Sequence, residues 1–171
     1  MEIVVNDTNI LIDLYNAGLL GCCKQLKLDF RTLDLIIEEI EVEEQLTAVN
    51  KLVSEGILKV CSLSGEQLAT VFEKVSIYNG KCNLSPEDIS VMVYAQDNHY
   101  RLLTGDMTLR EKASLENVTV SGILFLTDMI TQDRILEPAD MINALEQLLQ
   151  SNGRLPKRLI NERIEHLRTL L

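Results

Sequence analysis

The sequence predicts an α/β fold in which a central parallel sheet is flanked by helices. Three observations predict it. Short apolar segments recur along the chain, helical patterns lie between them, and several helix starts follow a strand segment almost directly. The 171 residues, 46% of them apolar, suffice to bury the core of one domain.

Taken in order, the strand signals are Ile3-Val4-Val5, Leu33 to Ile36, Leu58-Lys59-Val60, Leu102-Leu103 and Val118-Thr119-Val120. Thr8 to Tyr15 reads as a helix capped by Asp7 or Thr8, with Ile10, Leu11 and Leu14 on its apolar face. Glu39 to Val53 and Gln67 to Tyr78 are amphipathic and stop at Gly56 and Gly80. Ser85-Pro86-Glu87-Asp88 combines an N-cap serine, a first-turn proline and an acid three residues on, opening a helix to about Asn98. Helices follow at Asp106 to Leu115, Leu124 to Ile130, Ala139 to Leu149 and Leu159 to Leu170.

Composition removes several classes of function. No run of 18 apolar residues is present and the first segment carries acids where a signal peptide needs bases, so a soluble cytoplasmic protein with no membrane contact is expected. Cys22, Cys23, Cys61 and Cys82 form no CxxC pair and read as reduced, packed thiols. His99 and His166 stand apart, without a zinc pattern or a nucleophile partner, and no GxSxG turn occurs. DTN after the first strand lacks the second aspartate that a haloacid-dehalogenase-like phosphatase requires.

The formal charge of −10 argues against broad attraction to nucleic acid. It is unevenly spread. Residues 1–50 hold ten acids against three bases, whereas residues 151–171 hold two acids against five bases: Arg154, Lys157, Arg158, Arg163 and Arg168. That basic end reads either as a surface for RNA or an acidic partner, or as an ordinary solvated helix face.

Ligands of open parallel sheets bind beyond the carboxyl ends of the strands. Asp7 and Asp106 each follow a strand there, Asp88 opens the helix leading into the Leu102-Leu103 strand, and Glu39 follows the Leu33 to Ile36 segment. Each acid also has a plain reading: Asp7 and Asp106 as caps, Asp88 as part of a capping box, Glu39 within a solvated acidic run. Brought together, however, two carboxylates about 5 Å apart repel by roughly 3 kcal/mol at an effective dielectric near 20. Such a group takes up protons or binds cations, and an all-oxygen set suits Mg²⁺ or Mn²⁺.

DTNILIDL at 7–14, IIEEI at 36–40, LSPEDISVMVYAQD at 84–97 and LLTGDMTLREKA at 102–113 resemble, in order and spacing, the acidic motifs of PIN domains, which include VapC-type toxin ribonucleases. VTVSGILFLTDMI at 118–130 is similar to the family's last strand and helix, so the resemblance covers roughly residues 1–130. It implies a three-layer PIN-like fold with sheet order 3-2-1-4-5, and Asp7, Glu39, Asp88 and Asp106 as metal-binding, catalytic acids supported by Asn9 and Thr104. Glu38 competes with Glu39, which is preferred because it directly precedes the apolar Ile40. The resemblance further implies divalent-metal-dependent cleavage of RNA, a homodimer and, for a toxin, an antitoxin protein as partner. Two departures bear on the toxin role. The position two residues after Asp106 is Thr108, where many compact toxins have a further acid, and residues 137–171 exceed a minimal domain.

A nuclease domain over 1–136 with a helical extension over 137–171 packed on it is therefore expected. The alternative of another class is a catalytically silent PIN-like module that binds protein or RNA.

Overall fold

The computed structural model describes residues 1–171, and its architecture follows from where apolar side chains recur. Strand β1, Glu2–Asn6, buries Val4 and Val5 completely and is central because both of its edges are paired. Helix α1, Thr8–Asn16, follows at once, and a 3-10 turn, Leu20–Gln25, leads to β2, Leu28–Leu33. Next come the single turn and a half of α2, Asp34–Glu38, then α3, Glu43–Ser54, and β3, Leu58–Cys61. Helices α4, Gly65–Tyr78, and α5, Pro86–Asn98, precede β4, Arg101–Leu103. Helix α6, Met107–Leu115, β5, Val120–Ser121, and α7, Ile123–Gln132, complete the alternation, and α8, Pro138–Ser151, and α9, Lys157–Arg168, end the chain.

All strand pairs are parallel and the order is β3-β2-β1-β4-β5, the 3-2-1-4-5 arrangement, with helices around it. In register, Val4 lies beside Phe30 and Arg101, and Asn6 beside Leu103. Helix α5 is buried from Ile89 through Ala95 because it packs against α4, α6 and the sheet together.

Three predicted elements move. Of the segment Leu33 to Ile36 only Leu33 is in a strand: β2 lies upstream and ends there, and Leu33, Ile36 and Ile40 are buried at helical spacing through α2. The sequence signal of β2 is masked by Asp29 and Arg31. These pair with each other at 3.1 Å, while Lys59 reaches Asp29 at 3.0 Å and Arg31 lies over the Tyr100 ring, so charged residues sit in a strand interior with their charges matched. Consequently Glu39 does not begin the next helix. It closes α2, and α3 starts at Glu43. The last strand is also shifted, to Val120–Ser121, because Asn117 takes a left-handed backbone (φ 62°) that turns the chain out of α6.

Helices α8 and α9 pack on each other, and α8 also packs on α1 and α7. Met141, Leu145, Leu148, Ile160, Ile164 and Leu167 join the same hydrophobic cluster as the strands. No helix is long and apolar enough to cross a membrane.

Candidate metal centre

Asp7 sits at the carboxyl end of β1, where its backbone N–H still bonds Leu103 O of β4 (3.0 Å) before the chain turns into α1. Its carboxylate is 3% exposed. It caps α1 by accepting from Thr8 N (2.8 Å), and it accepts from the Thr104 hydroxyl (2.7 Å) and the Asn9 amide. Burial is the main reason its pKa is pushed up to about 6; the Thr104 bond pulls it down, and the charges of Asp88 and Glu39 push it up.

Thr104, fully buried at the end of β4, ties this carboxylate to the next one. Its hydroxyl donates to Asp7 and accepts the backbone N–H of Asp106 (3.1 Å). Asn9 makes a second tie: its carbonyl oxygen accepts from Gly105 N at 2.7 Å. A Cβ on Gly105 would stand 3.1 Å from that oxygen, so glycine keeps the β4–α6 turn close to α1. Asp106 caps α6 through Leu109 N (2.8 Å).

Asp88 and Ser85 form the reciprocal capping box, Ser85 N donating to Asp88 (2.8 Å) and Asp88 N to the Ser85 hydroxyl (3.0 Å). Burial first, then the charges of Asp106 and Glu87, raise the Asp88 pKa against the pull of the cap. Glu39 is exposed but turned inward, taking the Thr8 hydroxyl, whereas Glu38 makes no hydrogen bond. The Glu39 pKa is raised by desolvation first and then by Glu87 and Asp88, against the Thr8 bond.

All four acids singled out from the sequence thus stand at one sheet edge and repel one another in a connected set: Glu39 and Asp7, Asp7 and Asp88, Asp88 and Asp106. Two participants escaped sequence reasoning. Glu87 adds a fifth charge, hidden because it reads as first-turn filler in a capping box, and Thr8 orients Glu39, hidden because a threonine at a helix start reads as a cap. His99 and His166 are exposed and line separate cavities away from the acids.

The donor set suits a hard divalent cation. It is all oxygen, and Glu39, Asp88 and Asp106 each keep one carboxylate oxygen free of protein hydrogen bonds. No three acidic, histidine or cysteine side chains close around a single point.

A three-layer sheet of order 3-2-1-4-5 with acids at its carboxyl edge defines the class. The chain belongs to the PIN-domain family, whose profile matches residues 3–169 and so includes α8 and α9. Among solved structures, it is similar to a chain of VapBC2 from Rickettsia felis, crystallised with a DNA fragment of the promoter. That pair shares 13% identity over 70% of this chain and 98% of the other, with a TM-score of 0.50, a likeness of fold. PAE2754 from Pyrobaculum aerophilum aligns with 23% identity over 74% and 93% of the two chains, TM-score 0.49. FitAcB from Neisseria gonorrhoeae aligns with 11% identity over 68% and 95%, TM-score 0.45. No curated protein matches the sequence.

Proposed function

We propose that this PIN-domain protein is a divalent-metal-dependent endoribonuclease that hydrolyses phosphodiester bonds in cytoplasmic RNA, with Asp7, Glu39, Asp88 and Asp106 as its metal-binding and catalytic acids. The observation that carries the reading is the Asp7 carboxylate, buried yet supplied with three donors and surrounded by like charges. A charged group buried at a ligand-binding edge, with donors supplied and like charges around it, points to a cation as its partner.

A bound Mg²⁺ or Mn²⁺ supplies an activated water and stabilises charge on the phosphate. Glu39, Asp88 and Asp106 would hold it through their free oxygens together with the Asp7 carboxylate, which Thr104, Asn9 and Thr8 fix in place. With both histidines elsewhere, the acids and the ion between them must handle the protons.

The purified protein is expected to cut RNA with Mn²⁺ or Mg²⁺, to stop with EDTA, and to lose activity in Asp7→Asn and Asp106→Asn. Cleavage that survives chelation overturns the reading, and the two variants control for a contaminating nuclease.

The toxin role in a type II toxin–antitoxin pair belongs to the same proposal, as does a homodimer. Both are supported by exposed apolar side chains on α4, Leu68 and Phe72, the latter 70% exposed, which offer an antitoxin or a second copy a surface. One observation favours the silent binding module instead: the acids do not close around one point. Calorimetric titration with Mn²⁺ separates the two, since binding tighter than millimolar that disappears in Asp7→Asn contradicts a silent module.

A further inference from the structure

The five cations after residue 150 divide into two groups. Arg158 pairs with Glu162, Arg163 grips both oxygens of Asp128 at 2.6 and 2.7 Å, and Arg168 pairs with Glu165 and Glu146. Arg154 makes no ion pair, and neither does Lys157, three residues on across Leu155-Pro156.

Arg154 is exposed, but its backbone is fixed. The Asn152 amide donates to both oxygens of buried Asp13 on α1 (3.0 and 3.2 Å), and the Asn152 carbonyl oxygen accepts from Arg154 N (3.1 Å). The loop between α8 and α9 is thereby latched beside the acids.

Two cavities meet at this loop. One, of about 370 Å³, has Asn9, Gly105, Asp106, Thr108 and Asn152 in its wall. The other, of about 330 Å³, is mainly apolar, with Ile123, Leu124, Pro156 and Leu159, and it also holds Arg110, whose guanidinium donates to Thr104 O at 3.0 Å. Arg154, Leu155, Met107 and Gly105 line both, and Met107 is 75% exposed. A surface thioether, an unpaired guanidinium and an apolar hollow next to an acidic site form a sequence of environments that matches a nucleotide, whose phosphate needs the cation and whose base needs the apolar wall.

We propose, building on the ribonuclease reading, that the Arg154 loop is a nucleotide subsite for single-stranded RNA: Arg154 takes the phosphate neighbouring the scissile one, and the cavity beneath Met107 takes that nucleotide's base. Stacking on an apolar wall accepts any base, so the subsite positions the strand without reading its sequence. Paired bases of an A-form helix are not free to enter it.

The test uses the full chain in EDTA, so that binding is read without cleavage. The probe is a fluorescein-labelled single-stranded RNA of roughly 12 nucleotides, within the usual site size for such grooves, followed by anisotropy across a KCl series. Arg154→Ala is expected to weaken binding about fivefold, the size of an exposed ion pair, and to reduce the salt slope by about 0.7, one phosphate on a single strand. Arg154→Lys should keep the slope. The Met107 methyl resonance should shift on adding the single strand, and stay put on adding the same sequence as a duplex.

Unchanged affinity and slope in Arg154→Ala overturns the subsite, as does an unmoved Met107 methyl or a wild-type chain that fails to bind the RNA. The two readings fail separately. Metal-dependent cleavage lost in Asp7→Asn, alongside RNA binding indifferent to Arg154, removes the subsite and leaves the nuclease. Binding that depends on Arg154 in a protein that never cuts removes the nuclease and leaves an RNA contact.

Discussion

The two walls of the cleft are built on opposite principles. The acidic wall is centred on one buried, internally hydrogen-bonded carboxylate held by elements of the central sheet: Asp7 is 3% exposed and tied to Thr104 and Asn9. The facing wall is a single exposed loop carrying Arg154, latched at one point by Asn152 on Asp13. Carboxylates that repel one another must be held by force of structure, because each would otherwise swing out to water. An exposed guanidinium facing acids needs no such restraint. Chemistry is thus expected to respond steeply to the first wall, and affinity mildly to the second.

The largest effect falls on Asp7. Asp7→Asn is expected to lower metal-dependent cleavage by more than two orders of magnitude, and at neutral pH without metal to raise stability by at most about 3 kcal/mol, the size of a shift from 3.8 to about 6, less the hydrogen bonds that the amide nitrogen cannot accept. Because the folded-state pKa lies above the unfolded one, the native protein's share of stability from protonated Asp7 is complete below about pH 4. It drains away as pH rises through about 6. The stabilisation by Asp7→Asn should therefore vanish near pH 4, which thermal melts in EDTA at several pH values would show. A variant as unstable as wild type at pH 7 would mean that the carboxylate is not electrostatically burdened.

Thr104→Val comes next, with a loss of about 10- to 100-fold in Mn²⁺ affinity or activity, the usual cost of removing an orienting neighbour of a metal ligand. The same change deletes the acceptor of Asp106 N–H and a donor that lowers the Asp7 pKa, so melts should show the Asp7 transition moving to higher pH. Activity that falls with no change in that transition would place Thr104 outside the Asp7 network.

How legible these walls are in the sequence differs as sharply as their physics. The strand-then-acid pattern of Asp7 and Asp106 and the Ser85-to-Asp88 box are local signals, and the structure places each where the sequence reading puts it. Glu39 reached the right edge for a partly wrong reason, since the strand supposed to carry it is the helical turn α2. There, Leu33, Ile36 and Ile40 look strand-like as a run but bury at helical spacing, while Asp29 and Arg31 disguise the true strand by cancelling each other's charge. Of the Arg154 wall, only the excess of bases after residue 150 was legible, with RNA as one of its readings; its place beside the acids was not. Nothing local separates Arg154 from Arg158, and only packing of α8 on α1 brings Asn152 of the loop to Asp13, 139 positions earlier.

That packing can be weakened at Leu148, which lines neither cavity, and at Asn152, which lines the one that holds Asp106. Leu148, fully buried on α8, is expected to cost about 2–5 kcal/mol as Leu148→Ala, measured by urea unfolding. Asn152→Ala should cost less, about 1–3 kcal/mol, because it strips two hydrogen bonds from the buried Asp13 carboxylate, which desolvation already holds above the usual carboxylate range. The informative quantity is the ratio of stability to function. If the loop is positioned by this latch, Asn152→Ala weakens RNA binding as Arg154→Ala does, whereas Leu148→Ala lowers stability alone at temperatures where the chain stays folded.

The smallest effect sharpens the comparison most. Arg158 lies four residues beyond Arg154 on the first turn of α9, equally cationic and equally exposed, but engaged with Glu162 in a solvent-facing pair between residues one helical turn apart. Such pairs contribute about 0.3–0.5 kcal/mol, so Arg158→Ala should change the melting temperature barely at all. Net charge changes identically in Arg158→Ala and Arg154→Ala, so any general electrostatic attraction of RNA to this end of the chain would fall equally in both. A loss of RNA affinity confined to Arg154→Ala therefore locates the contact in the cleft wall. An equal loss in both variants would mean that the basic end acts as a diffuse field, with no built subsite beside the acids.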